Sequence, residues 1–84
     1  MKTFHVTVTV RLKPGVLDPQ GKAIEGALGS LDFSGVETVR QGKVFDLVLQ
    51  AASQDAARDA ASRMGEKLLA NTVIENFDIE ISGE

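Results

Sequence analysis

Residues 3–12 alternate strictly between polar and apolar side chains. The apolar set is Phe4, Val6, Val8, Val10 and Leu12, and the polar set between them is Thr3, His5, Thr7, Thr9 and Arg11. A period of two with many β-branched residues predicts a half-buried β-strand of about ten residues. One face of this strand should pack on a core, and the other should meet solvent or another chain.

A helix is predicted directly after this strand. Pro14-Gly15 ends the alternation, and Asp18-Pro19 carries the signals of a helix start. Asp18 can cap the free N–H groups of the first turn, and Pro19 is suited to that turn because its missing N–H costs nothing there. The helix stripe that should cover the sheet consists of Ala23, Ile24, Ala27, Leu28 and Leu31.

A β-hairpin is predicted in the middle of the chain. Residues 36–41 read as a short strand, Gly42-Lys43 as a tight turn, and residues 44–51 as a second strand. In this second strand one face is formed by Phe45, Leu47, Leu49 and Ala51, and the other by Val44, Asp46, Val48 and Gln50.

The last third predicts a helix followed by a strand. Ser53 is a candidate N-cap, and Asp59 and Arg63 are spaced for an i,i+4 ion pair. Asn71 is a candidate left-handed residue at the helix end. The final strand is expected over residues 73–81, with Phe77, Ile79 and Ile81 facing inward.

The element order is therefore β-α-β-β-α-β, which predicts an α+β, ferredoxin-like domain. In that arrangement both helices cover one face of a four-stranded antiparallel sheet. With 84 residues there is material for one domain, spanning residues 1–84. The uncovered sheet face is rich in Thr and Val, and we expect a second copy to cover it by stacking sheet on sheet.

Composition excludes several classes of function. The chain has no cysteine and one histidine, so it lacks a disulfide framework, a thiolate metal site and a cysteine nucleophile. A net charge of −3 argues against a nucleic-acid partner. No apolar run reaches the roughly 18 residues of a membrane span. We therefore expect a cytoplasmic protein with no membrane or nucleic-acid partner.

No constellation of catalytic residues stands out. His5 lies among threonines without partners, and we interpret it as a surface or interface residue. Asp78 and Glu80 share a face at strand spacing, but pairing with Arg11 or His5 explains them better than acid–base chemistry does. Two classes remain open from the residues alone. One is a structural subunit that docks between larger partners, and the other is a regulatory module that binds a metabolite at a dimer interface.

Three strings, in order, resemble the PurS subunit of phosphoribosylformylglycinamidine synthase. They are VRLKPGVLDPQG at residues 10–21, VRQGK at 39–43 and KLLANTVIE at 67–75. The similarity extends over essentially the whole chain. Two positions depart from the common pattern of the family: Thr72 stands where Pro is frequent, and Phe77 where Tyr is frequent.

The resemblance implies a non-catalytic accessory role in de novo purine biosynthesis. It implies that the chain bridges a glutaminase subunit (PurQ) and an ATP-dependent synthetase subunit (PurL) and supports the transfer of ammonia between them. It also implies self-association, as a dimer or a dimer of dimers. No cofactor is expected on this chain, because ATP and Mg would be used by the synthetase partner.

Seven residues of the matched strings are our candidate subunit contacts. They lie in turns and at a helix start, where a rigid scaffold presents its contacts. Arg40 and Lys43 have the least obvious structural need and are the better functional candidates. The full set is Asp18, Pro19, Gln20, Gly21, Arg40, Gly42 and Lys43.

Overall fold

A three-stranded antiparallel sheet forms the centre of the computed structural model, which describes residues 1–83. Strand β1 (Lys2–Leu12) lies between β2 (Gly42–Ala51) and β3 (Glu75–Gly83). Both neighbours run antiparallel to β1, and Val8 pairs with Phe45 on one side and Ile79 on the other. This register brings the apolar sets of all three strands to the same face.

The core is built on the apolar face of β1. The side chains of Phe4, Val6, Val8 and Val10 are no more than 2% exposed. Helix α2 (Gln54–Met64) lies over them and buries Ala57 and Ala61 completely. The neighbouring strands add the half-buried side chains of Phe45, Leu47, Leu49, Phe77, Ile79 and Ile81. The period-two patterns predicted for all three strands are therefore confirmed, although the last strand spans Glu75–Gly83 and not the predicted residues 73–81.

Helix α2 begins as its sequence predicts and ends differently. The Ser53 side chain accepts a hydrogen bond from Ala56 N at 3.1 Å, and Arg63 lies 3.2 Å from Asp59. The helix then widens into a π-helical turn, Gly65–Leu69, closed by a bond from Ala70 N to the Gly65 carbonyl. The left-handed conformation predicted for Asn71 is wrong, because within residues 1–83 Asp32 is the non-glycine residue with a positive φ.

Helix α1 (Pro19–Ser30) projects away from the sheet. Together with residues 31–41 it forms an extension that we call the arm. The molecule measures 51 × 26 × 14 Å, with a radius of gyration of 16.4 Å. A compact chain of this length has a radius of gyration of about 12 Å. The prediction that both helices cover one face of the sheet is therefore wrong, since α2 alone does so.

The predicted hairpin and fourth strand are also wrong. Residues 36–41 pair with no strand in the described chain, and Gly42 and Lys43 begin β2 instead of forming a turn. The reason lies in the backbone N–H groups of this segment. Val39 N donates to the Glu25 carboxylate at 2.8 Å, and Gln41 N donates to the Asp18 carboxylate at 2.6 Å. Side chains of α1 and its cap thus take the place of a neighbouring strand.

The outer face of the sheet is exposed and mainly polar. Asp78 lies 3.8 Å from Arg11, which confirms the cross-strand pairing preferred over acid–base chemistry. Val44 and Val48 on the same face are 62% and 71% exposed. Among residues 1–83, no helix is both long and apolar enough to span a bilayer.

Candidate functional site

The predicted contact residues come together where the arm joins the sheet. Residues 18–21 begin α1, and residues 40–43 lead out of the arm into β2. The two segments lie side by side, although about twenty residues separate them in the chain. We call this region the arm base.

Asp18 is the buried centre of the arm base. Its side chain caps α1 by accepting a bond from Gly21 N at 2.8 Å, and its other carboxylate oxygen accepts the bond from Gln41 N at 2.6 Å. The residue is only 5% exposed. Hydrogen bonds from the backbone N–H groups of Gln41 and Gly21 hold the pKa of Asp18 below its ordinary value. Asp18 is thus an ionised anchor that joins the two segments.

Arg40 connects the end of the arm to the loop that precedes α1. Its guanidinium donates to the Val16 carbonyl at 2.6 Å and to the Lys13 carbonyl at 3.1 Å. These carbonyls belong to the loop between β1 and α1. Arg40 therefore has a clear structural role, which its place in the sequence did not indicate.

Two glycines allow the segments to approach closely. A Cβ atom on Gly21 would collide with the carbonyl oxygen of Val39, and one on Gly42 would lie 2.6 Å from the carbonyl oxygen of Val10. Neither position has room for a larger residue without a shift of the backbone. The presence of glycine at both places is explained by packing.

Four exposed members of the set, Pro19, Gln20, Gly42 and Lys43, line an open depression of about 590 Å³. Gln20 accepts a hydrogen bond from the Gln41 side chain at 2.7 Å, and Pro19 lies beside it. On the opposite side, Lys43 lies 3.6 Å from Glu75 of β3, and its side chain is 56% exposed. Pro19, Gln20 and Lys43 are the members best placed to contact a partner.

The side chains at the centre of the arm base are fixed by hydrogen bonds within the chain. No group of three or more His, Cys, Asp or Glu side chains within residues 1–83 is arranged to hold a metal ion. Both carboxylate oxygens of Asp18 are already used by backbone donors, so its side chain is fixed in place. The region therefore presents a rigid surface, with both polar and apolar side chains, at the root of an extended arm.

A sequence model of one protein family matches residues 5–83, and its description is PurS, phosphoribosylformylglycinamidine (FGAM) synthase. The chain belongs to the PurS family. The match begins within β1 and extends through the arm and α2 to the end of β3, so it includes all seven candidate contact residues.

Curated PurS subunits are similar over most of their length. The subunit from Synechocystis sp. is 42% identical over 80 residues, which cover 95% of this chain and 80% of that protein. The Bacillus subtilis subunit is 44% identical over 78 residues, covering 93% and 92% respectively. Both are described as phosphoribosylformylglycinamidine synthase subunit PurS.

Solved PurS structures share the fold. The C2 crystal form of Bacillus subtilis PurS gives a TM-score of 0.87 at 42% identity and covers 95% of this chain and 99% of that one. A chain of the structure of PurLQS from Thermotoga maritima gives a TM-score of 0.89 at 28% identity, with 98% and 100% covered.

Two further residues build the arm base and were not among the predicted contact residues. Gln41 supplies both the N–H that reaches Asp18 and a side-chain bond to Gln20, and Glu25 holds Val39 N. Gln41 lies within the matched string VRQGK, so the resemblance could have identified it. Nothing local pointed to Glu25, because its partner is 14 residues away.

Proposed function

We propose that this chain is the non-catalytic accessory subunit of the phosphoribosylformylglycinamidine synthase complex in de novo purine biosynthesis. In this proposal residues 1–84 act as a single PurS-like domain in the cytoplasm. The chain bridges the glutaminase subunit PurQ and the ATP-dependent synthetase subunit PurL, and it associates with itself. It binds no cofactor, since ATP and Mg are used by the synthetase partner.

The observation that carries this proposal is the similarity to the PurLQS structure from Thermotoga maritima, which extends over 98% of this chain. The composition is consistent with a non-catalytic role, because the chain has no cysteine and one histidine and therefore few candidate catalytic residues. A non-catalytic subunit contributes surfaces that bind the other subunits of the complex. Ammonia released by a glutaminase must be kept from bulk water, where it would be protonated and lose its nucleophilicity, and a seam between proteins can exclude that water.

We place the docking surface at the arm base, on Asp18, Pro19, Gln20, Gly21, Arg40, Gly42 and Lys43. Asp18, Gly21 and Gly42 shape this surface from within, by the contacts described above. Pro19, Gln20, Arg40 and Lys43 are exposed and would meet the partner. A loop region held rigid by buried hydrogen bonds is a common place for such contacts.

Reconstitution tests the proposal. Alone, the chain should show neither glutaminase activity nor ATP hydrolysis. Mixed with PurQ and PurL subunits, it should restore synthesis that uses glutamine as nitrogen donor. Synthesis from added ammonium salt should depend on the chain far less, since free ammonia needs no protected path. Reproducible catalysis by the isolated chain, or full glutamine-dependent synthesis without it, would refute the accessory role.

A further inference from the structure

The arm base concentrates positive charge in a chain that is acidic as a whole. Of the nine Lys and Arg residues, five lie at or beside it: Arg11, Lys13, Lys22, Arg40 and Lys43. The acids among them are mostly turned inward, since Asp18 is 5% exposed and the side chains of Glu25 and Glu75 are 19% and 13% exposed. The charge that a partner meets at the arm base is therefore positive, although the net charge of the chain is −3.

Within residues 1–83, Lys13 and Arg40 form no ion pair with a carboxylate. Arg40 donates instead to the carbonyls of Val16 and Lys13. A guanidinium has five N–H donors, so three of them remain for another acceptor. Arg40 is consequently held in place by the loop before α1 and is still able to bind an anion.

Arg40 and Arg11 line the same small depression, which has a volume of about 320 Å³. We call it the arginine depression. Asp78 lies outside its lining, 3.8 Å from Arg11, and both of these side chains are more than two-thirds exposed. A carboxylate is the acceptor that best matches the planar donors of a guanidinium. The remaining lining contains no acid and consists of Leu12, Pro14, Gly15 and Gln41.

Exposed apolar side chains lie directly beside the arginine depression. The larger depression of the arm base, of about 590 Å³, shares Leu12 and Gln41 with it, so the two adjoin. In the larger depression Leu17 is 69% exposed and Ile74 is 38% exposed, and Val73 beside Ile74 is 81% exposed. A free anion would leave these side chains uncovered. A protein segment can cover them, because protein interfaces combine apolar contacts with polar and charged ones at the edge.

We propose that the arm base receives an acidic segment of a partner subunit. A carboxylate of that segment binds Arg11 and Arg40 in the arginine depression, and a neighbouring apolar side chain packs against Leu17 and Ile74 in the larger one. This proposal rests on the proposed function, and it adds the chemistry by which the partner is recognised: an Asp or Glu next to a large apolar residue. Complementary charge of this kind selects the partner and speeds its association.

Removal of single charges tests the first contact. In a titration of the labelled chain with PurQ and PurL, followed by fluorescence anisotropy, Arg11→Gln and Lys13→Gln should each weaken assembly about fivefold or more in about 0.1 M salt. The loss should shrink in about 1 M salt, which screens exposed charges. Asp78→Asn should strengthen assembly, because Arg11 then loses the carboxylate that competes for it.

Two variants control for the change of net charge. Lys2→Gln removes a cation at the far end of β1, where Lys2 pairs with Ala51, and Asp55→Asn removes an acid in the first turn of α2. Both positions are exposed and lie at the end of the sheet opposite the arm base. Neither variant should alter the affinity.

Leu17→Ser tests the second contact. Leu17 is mostly exposed, so the change removes little packing within the chain. It should weaken assembly at both salt concentrations, because salt does not screen apolar burial. Val48→Ser is the control, since Val48 is 71% exposed on the outer face of the sheet. Circular dichroism checks that all variants remain folded.

Carbodiimide coupling identifies the acid of the partner directly. The reagent joins a lysine amine to a carboxylate that lies against it, as an amide, and takes up the water that is lost. In the assembled complex Lys13 should be joined to an Asp or Glu of PurQ or PurL, and mass spectrometry locates that residue. Lys13→Arg keeps the charge but has no amine, so this chain should assemble without forming the product.

Two results would overturn the proposal. Assembly that Arg11→Gln leaves unchanged would show that no anion binds here, and assembly that Arg11→Gln strengthens and Asp78→Asn weakens would show that the partner segment is basic. In both cases a complex that still uses glutamine for synthesis leaves the proposed function standing. An unmodified chain that binds neither PurQ nor PurL would refute the proposed function, and this proposal with it.

Discussion

The backbone N–H of Gln41 donates to a carboxylate oxygen of Asp18 at 2.6 Å, across 23 positions of the sequence. The other oxygen of the same carboxylate caps α1 through Gly21 N. One side chain thus defines both the start of the helix and the path by which the chain returns to the sheet. The direction of the whole arm depends on this junction.

Replacement of Asp18 by Asn should loosen the arm base. An amide side chain has one oxygen, so it can accept the bond from Gly21 or from Gln41 but not from both in the same geometry. We expect a lower melting temperature, and hydrogen exchange at the Gln41 amide faster by about tenfold or more, because bonds to charged acceptors are the stronger ones. Asp55→Asn, at an exposed acid in the first turn of α2, is the control. Unchanged protection of the Gln41 amide would contradict the role assigned to Asp18.

Acid should weaken the protein through the same residue. The pKa of Asp18 in the folded chain lies below the ordinary value of 3.8, because Gln41 N and Gly21 N donate to its charged form. The stabilisation by Asp18 is therefore complete above pH values near 3.8 and is lost as the pH falls through the lower folded-state pKa. Urea unfolding of the unmodified chain and of Asp18→Asn should differ most near neutrality and converge in acid. A difference that stays constant down to the lowest pH would rule out this linkage.

Local spacing predicted those parts of the fold that depend on local interactions. The alternation in β1 and the Asp18 and Ser53 caps are properties of short segments, and the structure confirms them. The fourth strand was predicted from residues 36–41, whose composition suits a sheet. A strand requires a neighbour, however, and the N–H groups of this segment bond to Glu25 and Asp18 instead.

The roles of the candidate site residues also depend on contacts between segments that are distant in the sequence. The matched strings predict these residues, and the structure brings both groups of them together at the arm base. Their roles could not be read from the strings, since the partners of Arg40 are carbonyls at positions 24 and 27 residues away. The apolar depression between α2 and β2, which includes Leu47, Met64 and Leu68, was not predicted, because it depends on α1 lying away from the sheet.

Gly65→Ala should destabilise the core under α2. A Cβ atom at this position would lie 2.5 Å from the ring of Phe77, a half-buried side chain packed on the core. Overpacking of this kind costs about 1–3 kcal/mol in the free energy of unfolding. Gly26→Ala in α1 meets nothing within 4 Å and should raise stability by about 0.5–1 kcal/mol. Denaturant unfolding measures both, and a Gly65→Ala chain as stable as the unmodified one would show that Phe77 can move aside.

Charge reversal separates the structural and docking roles of Lys43. Lys43 lies 3.6 Å from Glu75, so Lys43→Glu removes an ion pair and also changes the charge of the exposed arm base. We expect weaker assembly with PurQ and PurL, measured by co-sedimentation and by glutamine-dependent synthesis. Lys2→Glu, which makes the same change of net charge where Lys2 pairs with Ala51 at the far end of β1, should have no such effect.

The double variant Lys43→Glu with Glu75→Lys decides between the two roles. It restores an ion pair inside this chain but leaves an acid at the position where a partner would meet a cation. If Lys43 contacts a partner, assembly stays weak while stability recovers only in part, because Glu75→Lys also removes the carboxylate that accepts a bond from Asn71 N at 2.7 Å. Full recovery of assembly in the double variant would mean that Lys43 acts only by pairing with Glu75, and the docking surface would then have to be sought among Pro19, Gln20 and Arg40.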